Sequence, residues 1–428
     1  MYTIKSLFII YIKMDTNLVI GLVGSFGSGC TTTYNLLTQE KKDFNFFGVS
    51  LSDYLKFEIL KSYPDFNNKE SKEKRRLLQD LGNIFRKKYG PEYLAKMALV
   101  KIESKIEKED VIIDSIKNPA EIKEFKKHFK NFYLITVDTD LDKRWQRIKQ
   151  LYNNDYERFQ NDDRRDTGEE EPNYGQQVKK CITYSDFLLS NNTNFFNYKG
   201  KKDLKAINDF GDKVKDIINL LKNPGEREPN FDEIYMSQTY MISLRSMCMR
   251  RKVGATIVSA NYDNDNKLKE SFIVSQSCNN APINAKSCRD LSGCQRGIKK
   301  EEFITNTKYC RKCGNLLLND KKKCNNCGNV TEDDIPSRIL DICRAIHAEE
   351  AAILEAGMVG IPLKDKILYT TTFPCLLCAK EIIKTEIRKV IYLESYPSKE
   401  SFNMLRECNV DLHKYEGVFP RSFYKLFK

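Results

Sequence analysis

The chain reads Ile346-His347-Ala348-Glu349 and, 28 positions after that histidine, Pro374-Cys375-Leu376-Leu377-Cys378. An imidazole and two thiolates this far apart serve one metal ion only if the chain folds back and sets two segment starts side by side. Neutral His347 with thiolates from Cys375 and Cys378 gives Zn²⁺ three protein ligands and leaves the fourth tetrahedral position to water, as a catalytic site requires. Water held there titrates near pH ~7 instead of ~15.7. Cys375 and Cys378 are neighbours on one helix face, with Pro374 expected in the first turn, where orphan N–H groups favour thiolate. His347 and Glu349 would diverge in a regular helix, so both are placed at its frayed start, turned inward. Glu349 is then the general acid and base, a role worth roughly 10²–10⁴ in rate. The competing reading, a purely structural zinc site, wants a fourth ligand and has no use for the glutamate.

At 428 residues the chain is long enough for two domains. With 14 Cys, 3 His and no credible secretion signal, the cysteines read as thiols and metal ligands in a reducing, cytoplasmic setting. The apolar run Leu7-Phe8-Ile9-Ile10-Tyr11-Ile12 is too short to span a bilayer, and no membrane partner is expected. Met14 stands just ahead of the first convincing strand, so residues 1–13 read as an upstream extension. The formal charge of +12 has no concentrated basic block, which suits phosphate-bearing small substrates as readily as a polynucleotide.

Residues 18–221 alternate short apolar strands with longer amphipathic helices, the sign of an α/β fold with a parallel sheet. Strands are predicted at Leu18 to Val23, Phe46 to Val49, Val111 to Asp114, Phe132 to Val137 and Phe187 to Leu189. The polar stretch Asn161 to Tyr174 reads as a lid and Pro224 to Pro229 as a linker. Beyond it, Phe231 to Met249 is predicted helical, with strands at Gly254 to Ser259 and Ser271 to Gln276.

Gly24-Ser25-Phe26-Gly27-Ser28-Gly29-Cys30-Thr31 follows a strand and opens a helix, the setting in which a glycine-rich loop closes its N–H groups around phosphate. Gly24, Gly27, Gly29, Thr31 and Asp114 are the candidate nucleotide contacts, with Thr31 and Asp114 placed to meet Mg²⁺. Cys30 stands where such a loop carries lysine, so phosphoryl transfer is expected to be poor even where nucleotide binds. Through this loop, Ser52-Asp53, Asp114-Ser115 and the basic residues Arg158, Arg164 and Arg165, the first domain resembles nucleoside monophosphate kinases. That resemblance implies a degenerate P-loop kinase-like domain over residues 14–222, followed by a linker at 223–230.

The second domain is expected over residues 231–428. The H-x-E then P-C-x-x-C pattern is the mark of zinc nucleobase deaminases. Arg250-Arg251-Lys252-Val253-Gly254-Ala255 and Ser277-Cys278-Asn279-Asn280-Ala281-Pro282 resemble segments of the deoxycytidylate deaminase family. The joined architecture, with Glu394 to Ser398 and Gly417 to Arg421, is similar to bacterial antiphage deoxycytidine nucleotide deaminases. The resemblance implies a cytidine-deaminase-like α/β/α domain that converts dCTP, dCMP or both to deoxyuridine nucleotides and is held inactive until infection. It also implies Asn279 as the sugar contact. Arg250, Arg251 and Lys252 are the phosphate candidates, and Phe373 and Tyr396 the aromatic candidates to pack on a base. The implied partners are a deoxycytidine nucleotide, a regulatory nucleotide, RNA or inhibitor, and further copies of the chain in a homo-oligomer.

Inside this domain, at residues 305–332, Cys310-x-x-Cys313 and Cys324-x-x-Cys327 form two knuckles separated by ten residues. Four thiolates fill a tetrahedral site, so this insert is expected to hold a structural Zn²⁺. Lys321-Lys322-Lys323 between the knuckles reads first as a basic turn on a structural scaffold; the alternative is a polynucleotide deaminase or nucleic-acid-binding module with salt-sensitive binding to single strands. Cys288 and Cys294 join another metal or are buried thiols; the sequence does not choose.

Overall fold

The computed structural model of the chain describes residues 17–39, 44–168, 171–193, 203–262, 268–291, 293–295, 326–327, 343–394 and 398–427. It divides into a unit of Met1–Glu233 with Glu416–Lys428 and a unit of Ile234–Tyr415. Among the described residues, no helix is long and apolar enough to cross a membrane.

The first unit is built on a six-stranded sheet: β1 (Val19–Val23), β2 (Phe46–Ser50), β3 (Asp110–Asp114), β4 (Phe132–Asp138), β5 (Phe187–Ser190) and β11 (Gly417–Val418). Their order is β11-β5-β4-β1-β3-β2, parallel except for β11. All five residues of β1 are buried, as a strand covered on both faces requires. Period-two alternation divides them: Val19 and Val23 pack with Leu94, Ala98 and Phe125 on one face, and Ile20 and Leu22 with Phe210, Val214 and Ile218 on the other. The order reverses around β1, so a crevice opens beyond its carboxyl end, where the glycine-rich loop begins.

Two sequence expectations shift in this unit. The second domain is expected to run to residue 428, but Glu416–Lys428 groups with the first unit. There Gly417 pairs antiparallel with Leu188, Val418 is fully buried, and the Ser422 hydroxyl donates to Asp186 at 2.6 Å. A two-residue strand carries no periodicity to read. The first half of the lid stretch, Asn161 to Thr167, is helical, the end of the helix Tyr156–Thr167, whose polar surface hides an aromatic face. Phe159 packs with Phe26, Ile148 and Tyr152, while Asp163 holds Arg144 and Asp162 accepts from Tyr152. The basic residues Arg164 and Arg165 sit in its last turn, with Arg165 paired to Asp80 and Glu171.

The second unit has a five-stranded sheet of order β10-β9-β8-β6-β7, from β6 (Gly254–Tyr262), β7 (Leu268–Cys278), β8 (Ile367–Thr372), β9 (Lys389–Glu394) and β10 (Asp411–Lys414). The pairs β6/β7 and β6/β8 are antiparallel, β8/β9 and β9/β10 parallel. One face carries the helices Ala348–Met358 and Leu376–Lys384: Ala348, Ala352, Ala356, Ala379 and Ile382 pack onto Ala255, Ile257, Leu368 and Val390. Alanines at fourfold spacing let the first helix lie close on the sheet. On the opposite face the Tyr235 ring meets Tyr369 at 5.5 Å between centroids. The predicted helix from Phe231 stops at Ser243, not Met249. Ser246 instead donates its hydroxyl to Asn279 O, and the Met247 N–H goes to the Asn280 side chain, side-chain bonds that compete with helix.

Candidate active site

Two helix starts meet at the carboxyl end of β8. His347 is the N-cap of the helix Ala348–Met358, with extended backbone (φ −70°, ψ 154°), and Glu350 reaches back to accept its N–H at 3.2 Å. The half-in cap conformation lets His347 turn inward while Glu349, in the first turn, is buried beside it. Cys375 is likewise the N-cap of the helix Leu376–Lys384, so Pro374 stands just outside that helix rather than in its first turn. The Pro374 carbonyl is held by the buried Ser401 hydroxyl at 2.8 Å.

This geometry draws three ligand atoms together. His347 Nδ1 lies 3.2 Å from Cys375 Sγ and 3.3 Å from Cys378 Sγ, and the two sulfurs are 3.7 Å apart. A tetrahedral zinc ion with ordinary bond lengths separates its ligands by about 3.5 Å for nitrogen to sulfur and about 3.8 Å for sulfur to sulfur. The side chains therefore fit zinc as they stand, and among the described residues this is the group of histidine, cysteine and acidic side chains close enough to hold a metal.

Glu349 is positioned from both sides. Its Oε1 accepts from the Thr370 hydroxyl at 2.9 Å, and its Oε2 lies 3.7 Å from Cys378 Sγ. Thr370 reaches it because Leu368 and Thr370 share the helix-covered face of β8 while Tyr369 points away. Burial pushes the Glu349 carboxyl above the usual range. A hydrogen bond from Cys378, together with His347, holds the Cys375 thiol down to about 4, against the effect of its own burial. The hydrogen bond to Cys375, then burial, pushes Cys378 well up, and the bond to Cys375 raises His347.

A cavity of about 150 Å³ opens on these groups, lined by His347, Glu349, Cys375, Phe373, Asn279 and Arg251 among others. Arg250 is on the same wall, as are Cys288 and Cys294. Phe373 is buried, edge-on to Tyr392 at 4.8 Å, so it belongs to the core as well as the cavity. Asn279 accepts from Val253 N–H at 2.8 Å and donates to Arg251 O at 3.0 Å, leaving one lone pair and one N–H for a ligand. Lys252 is not in the lining; its ammonium donates to Leu244 O at 3.0 Å. Sequence reasoning missed Thr370, Arg344, which also lines the cavity, and Asn280, which bonds Met247 N–H and Ile346 N–H and so ties the wall to the histidine. Only the Thr370 face carried a signal, in the alternation of β8. Tyr396 and the knuckle cysteines Cys310, Cys313 and Cys324 lie outside the described residues, so the knuckle with Cys327 is not seen as a site.

In the first unit, Gly24, Gly27, Gly29, Thr31 and Asp114 all line one cavity of about 800 Å³. Gly29 has φ +110°, and a Cβ on Gly24 would lie 2.4 Å from Val137 O, so neither position accepts a side chain. Burial, then Asp114, pushes the Cys30 thiol up to about 12. Arg158, Arg164 and Arg165 do not line the cavity; Arg75, Lys117, Lys143 and Arg147 do.

Comparison with known proteins bears on the second unit first. Residues 229–394 match the family model of the cytidine and deoxycytidylate deaminase zinc-binding region. The deoxycytidylate deaminase of Saccharomyces cerevisiae is 28% identical over 205 residues, covering 48% of this chain and 49% of that protein. The chain spans about half the length of the yeast relatives it matches. Among solved structures, dCMP deaminase from the cyanophage S-TIM5 in complex with dCMP and dUMP aligns with a TM-score of 0.28 and 20% identity, over 44% of this chain and 100% of that one. Shikimate kinase from Acinetobacter baumannii aligns with a TM-score of 0.28 and 13% identity, over 48% and 94%.

Proposed function

We propose that the chain hydrolyses the exocyclic amine of a free deoxycytidine nucleotide, dCMP or dCTP, releasing ammonia and the deoxyuridine nucleotide. One observation carries the reading: the imidazole and two sulfurs lie at zinc-ligand separations with the buried Glu349 carboxylate beside them. The match of residues 229–394 to a deaminase zinc-binding region supports it.

His347, Cys375 and Cys378 would hold the zinc. When bound, zinc lowers the pKa of adjacent water from ~15.7 to ~7. Glu349 takes a proton from that water and delivers it to ring nitrogen 3. It then carries the second water proton to the departing amine, so that water and aminopyrimidine leave as ammonia and a uracil ring. Thr370 fixes the carboxylate throughout. The cavity of about 150 Å³ is smaller than the roughly 300–1,000 Å³ of sites that enclose whole drug-sized ligands, which suits a single pyrimidine ring with sugar and phosphate toward the mouth. There Asn279 would meet the sugar, and Arg250 and Arg251 the phosphate. In the wider reading, this activity drains the deoxycytidine nucleotide pool that an infecting phage needs.

The test is incubation of the purified chain with dCTP, dCMP, cytidine and single-stranded DNA, reading ammonia and uracil products. Conversion of a free deoxynucleotide is expected; conversion of DNA alone would replace this reading with the polynucleotide one. Glu349→Ala should cost roughly 10²–10⁴ in turnover while zinc content persists. Infected cells expressing the active chain but not Glu349→Ala should lose dCTP, and equal pools would remove the antiphage role.

A further inference from the structure

The loop after β1 has the backbone of an anion cradle and lacks its cation, since Cys30 opens the following helix as a neutral thiol. A cation is present all the same. Lys117, three residues beyond β3, places its ammonium 3.0 Å from Gly24 O and 2.9 Å from the carboxylate of Asp166. Asp166 is only 1% exposed, and its Oδ2 also accepts the Phe26 N–H of the loop at 3.2 Å. One buried carboxylate thus takes a loop amide and a lysine together, the pair of donors that a bound phosphate takes in such loops. We propose that Lys117 supplies the ammonium this loop lacks when a nucleoside triphosphate binds beside Gly24–Thr31, and that Asp166 holds the anion's place until phosphate displaces it.

Three further observations support this assignment. The cavity lies beyond the carboxyl end of β1, where the strand order reverses. Its volume of about 800 Å³ falls within the roughly 300–1,000 Å³ of small-ligand sites and leaves room for a nucleoside beyond the phosphates. An adjoining chamber of about 280 Å³ shares Arg75, Ser115 and Lys117 with it and is also lined by Asp166, Gln79 and Arg86. Arg86 is 2% exposed and gives Nε and Nη2 to Glu121, while its Nη1 and the Gln79 Oε1 have no hydrogen-bond partner. Buried polar atoms left so are uncommon, and both residues line the same chamber as Asp166.

The inference does not rest on the deaminase reading. Titration calorimetry of the full chain with Mg²⁺-ATP and with inorganic triphosphate tests it. ATP should bind at least tenfold more tightly than triphosphate; equal affinity would overturn the nucleoside. Lys117→Met should weaken ATP at least tenfold, and Cys30→Lys added to it should restore binding, whereas unchanged affinity in Lys117→Met would overturn the cation's role. Asp166→Asn, which keeps a hydrogen-bond acceptor for Phe26, should tighten binding about tenfold; affinity no greater than wild type in a folded variant would overturn the placeholder. Asp166→Ser serves if the asparagine variant fails to fold, with the same expected gain. No binding of ATP by wild type or by either Asp166 variant would overturn the site.

Discussion

Cys30 and Cys375 occupy nearly the same local structure. Each follows a buried strand, and each stands at the start of a helix, as first residue in one case and as N-cap in the other. A helix start favours thiolate, but a terminal dipole is worth about 0.3–1 kcal/mol, less than one pKa unit. The two thiols nonetheless stand at about 12 and about 4. Their neighbours make the difference. Cys30 is half-buried and faces Asp114, whereas Cys375 shares a hydrogen bond with Cys378 and sits against His347. A cysteine at a helix start therefore becomes a metal ligand through what the rest of the fold brings to it.

The largest break in the comparison comes from metal. Cys375→Ser or Cys378→Ser should lose zinc and turnover together, while Cys30→Ser should keep its full zinc content by elemental analysis. Zinc lost from Cys30→Ser would mean that the ligand set is misassigned. Next in size is thiol reactivity. In chelator-stripped protein at pH 8, a thiol with pKa about 12 is ionised in about one molecule in 10⁴, so iodoacetamide should label Cys375 and leave Cys30 unlabelled in peptide mapping. Equal labelling in folded protein would remove the electrostatic account.

A smaller effect separates ligands from the group that orients the proton carrier. Thr370→Val removes the hydroxyl that holds Glu349 and leaves all three zinc ligands in place. A hydrogen bond to a charged group is worth about 1.5–3 kcal/mol, so kcat should fall roughly tenfold or more with zinc content and KM little changed. A drop in zinc content instead would show that Thr370 shapes the metal site. Thr370→Ser, which keeps the hydroxyl, should recover most of the rate.

The same contrast explains what the sequence discloses. Strands β1 to β5 lie within one residue of their apolar runs, because a doubly covered strand must be apolar throughout. The four residues His347, Glu349, Cys375 and Cys378 converge because their chemistry leaves few alternatives. The remainder depends on pairings between distant segments. Lys117 meets Gly24 across 93 positions, and Asp166 meets Phe26 across 140, each looking like surface charge in isolation. Val418 at the edge of β5 and the aromatic underside of the Tyr156–Thr167 helix are likewise visible only once their partners are in place. Lys252 shows the converse, a basic residue beside two cavity arginines that turns back to its own backbone.

The smallest effect lies one turn beyond Cys378. Glu381 is pushed up to about 7, first by burial and then by Glu350 and Cys375; its side chain is half-buried, and Oε2 is enclosed without a hydrogen-bond partner. Its folded value is above the ordinary carboxylate value, so between pH ~4.5 and ~7 the folded state binds the extra proton. The contribution to stability is therefore complete below ~4.5 and is lost as pH rises through ~7. Glu381→Gln cannot ionise and should flatten this slope, gaining about 1 kcal/mol over wild type at pH 8 once solvent screening is allowed for, with no gain at pH 4. Denaturant titrations at the two pH values measure the difference. A gain at pH 4 as large as that at pH 8 would place the effect in packing instead of charge and separate Glu381 from the field that the cysteine pair creates.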